Sequence, residues 1–103
     1  MKTYVVFGGS RGIGAALVSV LLKDGHAVLN VSRNDSEEKH VNLSYHSLDV
    51  LKQDWDGLPA LQEIHGLAYC PGSIDLKPLR RVSVDDIKEA RDVNLYGALK
   101  AIQ

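Results

Sequence analysis

Tyr4-Val5-Val6-Phe7-Gly8-Gly9-Ser10-Arg11-Gly12-Ile13-Gly14 decides the fold. An apolar run leads without a spacer into glycines at 8, 12 and 14, and helical apolar periodicity begins at Ile13. That is a strand feeding a helix through a glycine turn. Such a turn suits a pyrophosphate: glycines let the backbone approach the ligand, and the first N–H groups of the helix, at its positive dipole end, point at the anion. The plainer alternative is a glycine turn that joins strand to helix and holds nothing.

Working outward, 103 residues suffice for one domain, 1–103, burying roughly two-thirds of its unfolded surface. Twelve Lys and Arg against thirteen Asp and Glu leave a net charge of −1, with a pI near 6.4. That balance gives no electrostatic footprint for nucleic acid or an anionic membrane. The one cysteine, Cys70, excludes an internal disulfide, and no apolar run approaches the roughly 20 residues that span a bilayer. The amino terminus runs straight into a strand with no signal peptide, so a cytoplasmic protein is expected.

Ile13, Leu17, Val20 and Leu21 read as the buried stripe of an amphipathic helix that ends near Asp24, with Gly25 as its left-handed cap. Ala27 to Val31 reads as a second, parallel strand, the charged run Asn34 to His40 as a solvated loop, and Leu43 to Leu48 as a third strand. Gly57 and Pro59 bracket a turn, with a short helix suggested by Leu58, Leu61 and Ile64. Leu67 to Cys70 makes a fourth strand, stopped by Pro71-Gly72, and Ser73 to Val82 reads as loop. Ser83 with Asp86 forms a capping box that opens one continuous helix to Gln103. Ile87, Ala90, Asn94, Ala98 and Ala101 fall along one face of it. This order predicts an α/β fold with a mainly parallel sheet, a Rossmann-like three-layer sandwich with strand order 3-2-1-4.

The absence of Gly-Lys-Ser/Thr excludes the phosphate loop of the NTPases, and no Gly-x-Gly-x-x-Gly register fits. What stands is Gly8-x-x-x-Gly12-x-Gly14, which resembles the glycine motif of the short-chain dehydrogenases/reductases, with Phe7 where that family usually has Thr. The resemblance runs over the chain in four ordered pieces and implies the cofactor-binding half of an oxidoreductase that passes hydride between a nicotinamide and a carbonyl or alcohol. It places Gly8, Ser10, Arg11, Gly12, Ile13 and Gly14 against the cofactor. At the second strand's tip, where an NAD site would carry a carboxylate for the ribose, the chain reads Ser32-Arg33. With Arg11 this looks like the NADP-preferring pattern, guanidinium forks gripping a 2′-phosphate. Asp49-Val50 matches the family's contact to adenine. Tyr69-Cys70-Pro71-Gly72 stands where the family has Asn-Asn-Ala-Gly and keeps only Gly72. Asp92-Val93-Asn94-Leu95-x-Gly97 resembles the helix whose Asn, here Asn94, supports a water in the proton relay.

The family's catalytic Ser and Tyr-x-x-x-Lys belong to a fifth strand and its following helix, beyond Gln103, so the chain is expected to be truncated before that strand and inactive alone. Tyr96 and Lys100 mimic the second motif, with Ser83 upstream. One continuous helix holds Ser83 and Lys100 about 25 Å apart, and Tyr96 lies about 200° around from Asn94, so Tyr96 and Lys100 are read as surface or interface residues. The four histidines lack metal-ligand spacing and are read as exposed, and Cys70 as a buried strand residue rather than a nucleophile. A homodimer is expected, through the fourth strand's open edge and the flank Leu95, Leu99, Ile102 of the last helix. The competing reading is a non-catalytic dinucleotide-binding or interaction module. A nucleotide-binding methyltransferase is disfavoured by the missing carboxylates before the glycines and at the second strand tip.

Overall fold

The computed structural model describes residues 1–49, 51, 63–71 and 78–103. Strands β1 (Thr3–Phe7), β2 (Ala27–Ser32), β3 (Leu43–Ser47) and β4 (Gly66–Tyr69) form a sheet in the order β3-β2-β1-β4. Every neighbouring pair is parallel. Helix α1 (Gly12–Lys23) joins β1 to β2, and α2 (Val84–Arg91), a π-turn at Asp92–Tyr96 and α3 (Gly97–Ile102) follow as one run. A short 3-10 turn, Leu79–Arg81, lies in what the sequence presents as loop. The expected turn and helix around Leu58 and Leu61 fall outside the described residues. Among the described residues no helix is long and apolar enough to cross a membrane.

The alternation of strand side chains divides the core between two faces. Val6 and Val28 point to one face and pack with Val18 and Leu22 of α1. Val5, Phe7, Leu29 and Val31 point to the other, where Leu48, Tyr69 and Ala101 close over them. Burying each valine contributes about 1.5–3 kcal/mol, and a sheet apolar on both faces can only be a middle layer. The glycine loop at the end of β1 and the tip of β2 therefore lie side by side, with Gly8 N–H donating to Val31 O at 2.9 Å.

Two predicted faces are shifted. On α1 the buried residues are Gly14, Val18 and Leu22, whereas Ile13 and Val20 are exposed and Leu17 and Leu21 are flanking, half-buried contacts. The helix lies so close to the loop at Gly14 that its contact line is centred there. On the last helical run the buried line passes through Val93 and Gly97, with Ala90 and Ala101 half-buried, while Ile87 and Asn94 are exposed. Tyr69 explains the second shift. Its hydroxyl donates to Val93 O, and its ring packs 6.0 Å from that of Phe7. A Cβ at Gly97 would strike that hydroxyl. The docking line runs under Tyr69, one residue away from Asn94.

The histidines are less idle than their spacing implies. Nδ1 of His26 accepts Lys2 N–H (3.2 Å), that of His65 accepts Thr3 N–H (3.0 Å), and that of His40 accepts Asn42 N–H (3.0 Å). They finish the backbone hydrogen bonding at the ends of strands. No cluster of His, Cys, Asp and Glu able to hold a metal occurs among the described residues.

Candidate functional site

The site begins with how α1 starts. Arg11 is its N-cap residue, with extended backbone (φ −144°, ψ 159°) and no side-chain cap hydrogen bond. The first N–H groups of a helix have no partner within it, so those at Gly12 to Gly14 are not met by a side chain of the cap residue. Gly12 has φ +58°, and a Cβ there would meet nothing within 4 Å. Backbone conformation, not crowding, favours glycine at that point. At Gly14 the reason is contact: a Cβ would fall well inside van der Waals distance of Gly8 O. The helix start is pressed against the loop.

The loop is fastened to β2 by a residue the sequence reading passed over. Asn30 is fully buried in a strand whose neighbours are apolar. Its Oδ1 accepts Gly9 N–H at 3.0 Å and the Ser32 hydroxyl at 3.1 Å, and its Nδ2 donates to Ser10 Oγ at 3.0 Å. The Ser10 and Ser32 hydroxyls are 2.6 Å apart, and both reach Asn34 O. The available signal was a lone amide inside a strand buried on both faces, which requires a partner.

Between the loop and the ends of β2 and β3 lies a cleft of about 260 Å³. Gly8, Ser10, Arg11, Ser32, Arg33 and Asp49 all border it. Val31, Leu48 and Leu51 give it apolar wall, and Glu89 and Val93 of the last helical run complete it. This mixture of apolar wall and a few converging polar groups is what a small-ligand site requires. A second cavity, about 500 Å³, lies under the loop and is lined by Asp35, Glu37 and Glu38 among others. Although larger, it presents carboxylates, which would repel a phosphate. Asp35 itself is engaged: hydrogen bonding from Lys39, aided by Ser36 N–H, holds its carboxyl below the usual range.

Of the residues expected to meet a cofactor, six thus share one cleft. Gly12 lies at the start of α1 and borders the second cavity, Ile13 carries an exposed side chain, and Gly14 is a packing residue. Asp49 Oδ1 accepts Leu51 N–H at 3.0 Å. Asn94 is exposed and is not among the lining residues, contrary to its expected place on the buried stripe. Val50 and Gly72 lie outside the described residues. Ser83 serves as the cap of α2, and the Arg91 guanidinium lies 4.8 Å from the centre of the exposed Tyr96 ring, so both have structural partners. Burial pushes the Cys70 thiol up, away from the thiolate a nucleophile needs.

The solved structures similar to this one share its arrangement. A short-chain dehydrogenase family protein from Francisella tularensis superposes with a TM-score of 0.85 over 99% of this chain, at 26% identity. The chain is built like the amino-terminal part of a short-chain dehydrogenase/reductase. It spans less than half of that relative, 44% of its length. A short-chain dehydrogenase from Leptospira borgpetersenii, solved with bound NAD+, has the same fold (TM-score 0.77, 19% identity, 95% of this chain and 42% of that one). In sequence, benzil reductase ((S)-benzoin forming) of Bacillus subtilis is 33% identical over 51 residues, which cover 50% of this chain and 21% of that protein. No protein-family model matches.

Proposed function

We propose that the chain is the NADP(H)-binding part of a cytoplasmic short-chain dehydrogenase/reductase acting on a carbonyl or alcohol. The observation that carries this reading is the single cleft that joins Gly8, Ser10 and Arg11, the uncapped N-cap residue of α1, to Ser32-Arg33 at the tip of β2. The α1 start holds the pyrophosphate, the guanidinium groups of Arg11 and Arg33 grip the 2′-phosphate, and Asp49 accepts from the adenine amino group. In a full-length parent Asn94, which lies outside this cleft, would support a water in the proton relay. When bound, the cofactor carries the hydride. The preference for NADP(H) rests on this chain's own residues, since the Leptospira protein is described with NAD+. Titration with NADPH and NADH tests it. Arg33→Asp replaces one charge-assisted contact with a carboxylate that repels the 2′-phosphate and can accept from a ribose hydroxyl, so it should weaken NADPH binding by at least about 1.5–3 kcal/mol and leave NADH bound as well or better. Equal affinity of the parent chain for the two cofactors overturns the preference.

These 103 residues bind without turning over, because Tyr96 is stacked at the surface and Ser83 is a helix cap. NADPH oxidation by the pure chain, abolished by Tyr96→Phe, would contradict this. Two copies associate through the exposed Leu95, Leu99 and Ile102 and the edge strand β4, where Leu67 is 41% exposed. Light scattering showing a monomer at micromolar concentration would dismiss the dimer.

A further inference from the structure

We propose that Asn30 is the positioning residue that makes the glycine loop and the tip of β2 one rigid unit, so that the phosphate and ribose ends of the cleft are set by a single buried amide. This rests on the nucleotide reading above. An amide removed from water is destabilising unless hydrogen-bonded, and an aliphatic side chain would satisfy this position in the core beside Val18 and Val28 more simply. What Asn30 provides is reach. Its oxygen holds Gly9 N–H and its nitrogen holds Ser10 Oγ, both in the loop, while the same oxygen takes the Ser32 hydroxyl at the strand tip.

The loop is packed closely against this amide. A Cβ at Gly9 would come within 2.8 Å of Asn30 Oδ1 and 2.9 Å of a Val18 methyl. The amide therefore decides which N–H groups the loop offers: that of Gly9 is turned inward, and those at the start of α1 are left for the anion. It also orients the two hydroxyls nearest Arg11 and Arg33. These contacts are all made between the chain's own atoms, and holding the loop and strand tip fixed in this way is the preorganisation a tight phosphate site needs.

The test is a titration of the purified chain with 2′,5′-ADP, on the parent, Asn30→Leu and Asn30→Asp, with folding checked by circular dichroism. Asn30→Leu keeps the volume and loses every bond, and should weaken binding about tenfold or more. Asn30→Asp introduces a carboxyl into a desolvated place, which raises its pKa. Neutral, it can accept from Gly9 and donate to Ser10. Ionised, it lacks the donor and repels the phosphate. Relative to the parent, affinity should be near normal at about pH 5.5 and at least about tenfold weaker at about pH 8. A purely structural residue would not give the site this new pH profile. Parent-like affinity in Asn30→Leu, or an Asn30→Asp profile parallel to the parent's, overturns the proposal and leaves the nucleotide reading standing. Failure of the parent to bind 2′,5′-ADP overturns both. If Asn30→Leu does not fold, the Asn30→Asp profile decides.

Discussion

The two helices that flank the cleft begin in opposite ways. At α2 the Ser83 hydroxyl accepts Asp86 N–H (3.1 Å), the Asp86 carboxylate accepts Ser83 N–H (2.9 Å), and Asp85 and Asp86 place negative charge in the first turn. Its dipole and its free N–H groups are answered from within the chain. At α1 the cap residue is a cation without a capping bond, and no acidic residue occupies the first turn. A helix start left positive and unmet, pressed against a glycine loop and with its cap residue Arg11 bordering the cleft, is suited to an anion from outside. One start is closed by the chain's own side chains and the other is left open.

That contrast can be broken by substitution. The largest effect is expected from Gly14→Ala, whose Cβ cannot coexist with Gly8 O. Moving α1 off the loop should destabilise the chain by about 3 kcal/mol or more in urea unfolding. An unchanged midpoint would mean that the close packing is not needed. Ser83→Ala removes the α2 cap and should cost about 1 kcal/mol of stability, with NADPH affinity unaltered because no bond of that box reaches the cleft. Arg11→Ser sharpens the comparison most. The backbone at Arg11 already has cap geometry, so a hydroxyl there should add about 0.5–1 kcal/mol of stability while NADPH affinity falls. A gain in both would show that α1 was not kept open for a ligand.

Much of this was legible from residue order. Gly8, Gly12 and Gly14 announce strand, turn and helix, and the parallel sheet follows from the succession of elements. The capping box at Ser83 and Asp86 is local chemistry and stands as the spacing predicts. What periodicity could not supply was the contact line. Ile13 and Val20 look buried by type, yet the approach at Gly14 turns them to solvent. Asn94 lies one residue from the line along which Tyr69 docks, and nothing near it in the sequence reveals a hydroxyl 25 positions earlier. Asn30 was hidden by averaging, because a single amide in an apolar strand barely changes the pattern. Its meaning depends on which loop lies beside it.

The most direct measurement is an amide-resolved NMR titration of the chain with NADPH. Saturable shifts at Gly12, Ile13 and Gly14, together with Ser32 and Arg33, and none at Val84, Asp85 and Asp86, are the predicted result. Shifts confined to the start of α2, or none at either helix start at millimolar cofactor, would contradict the account.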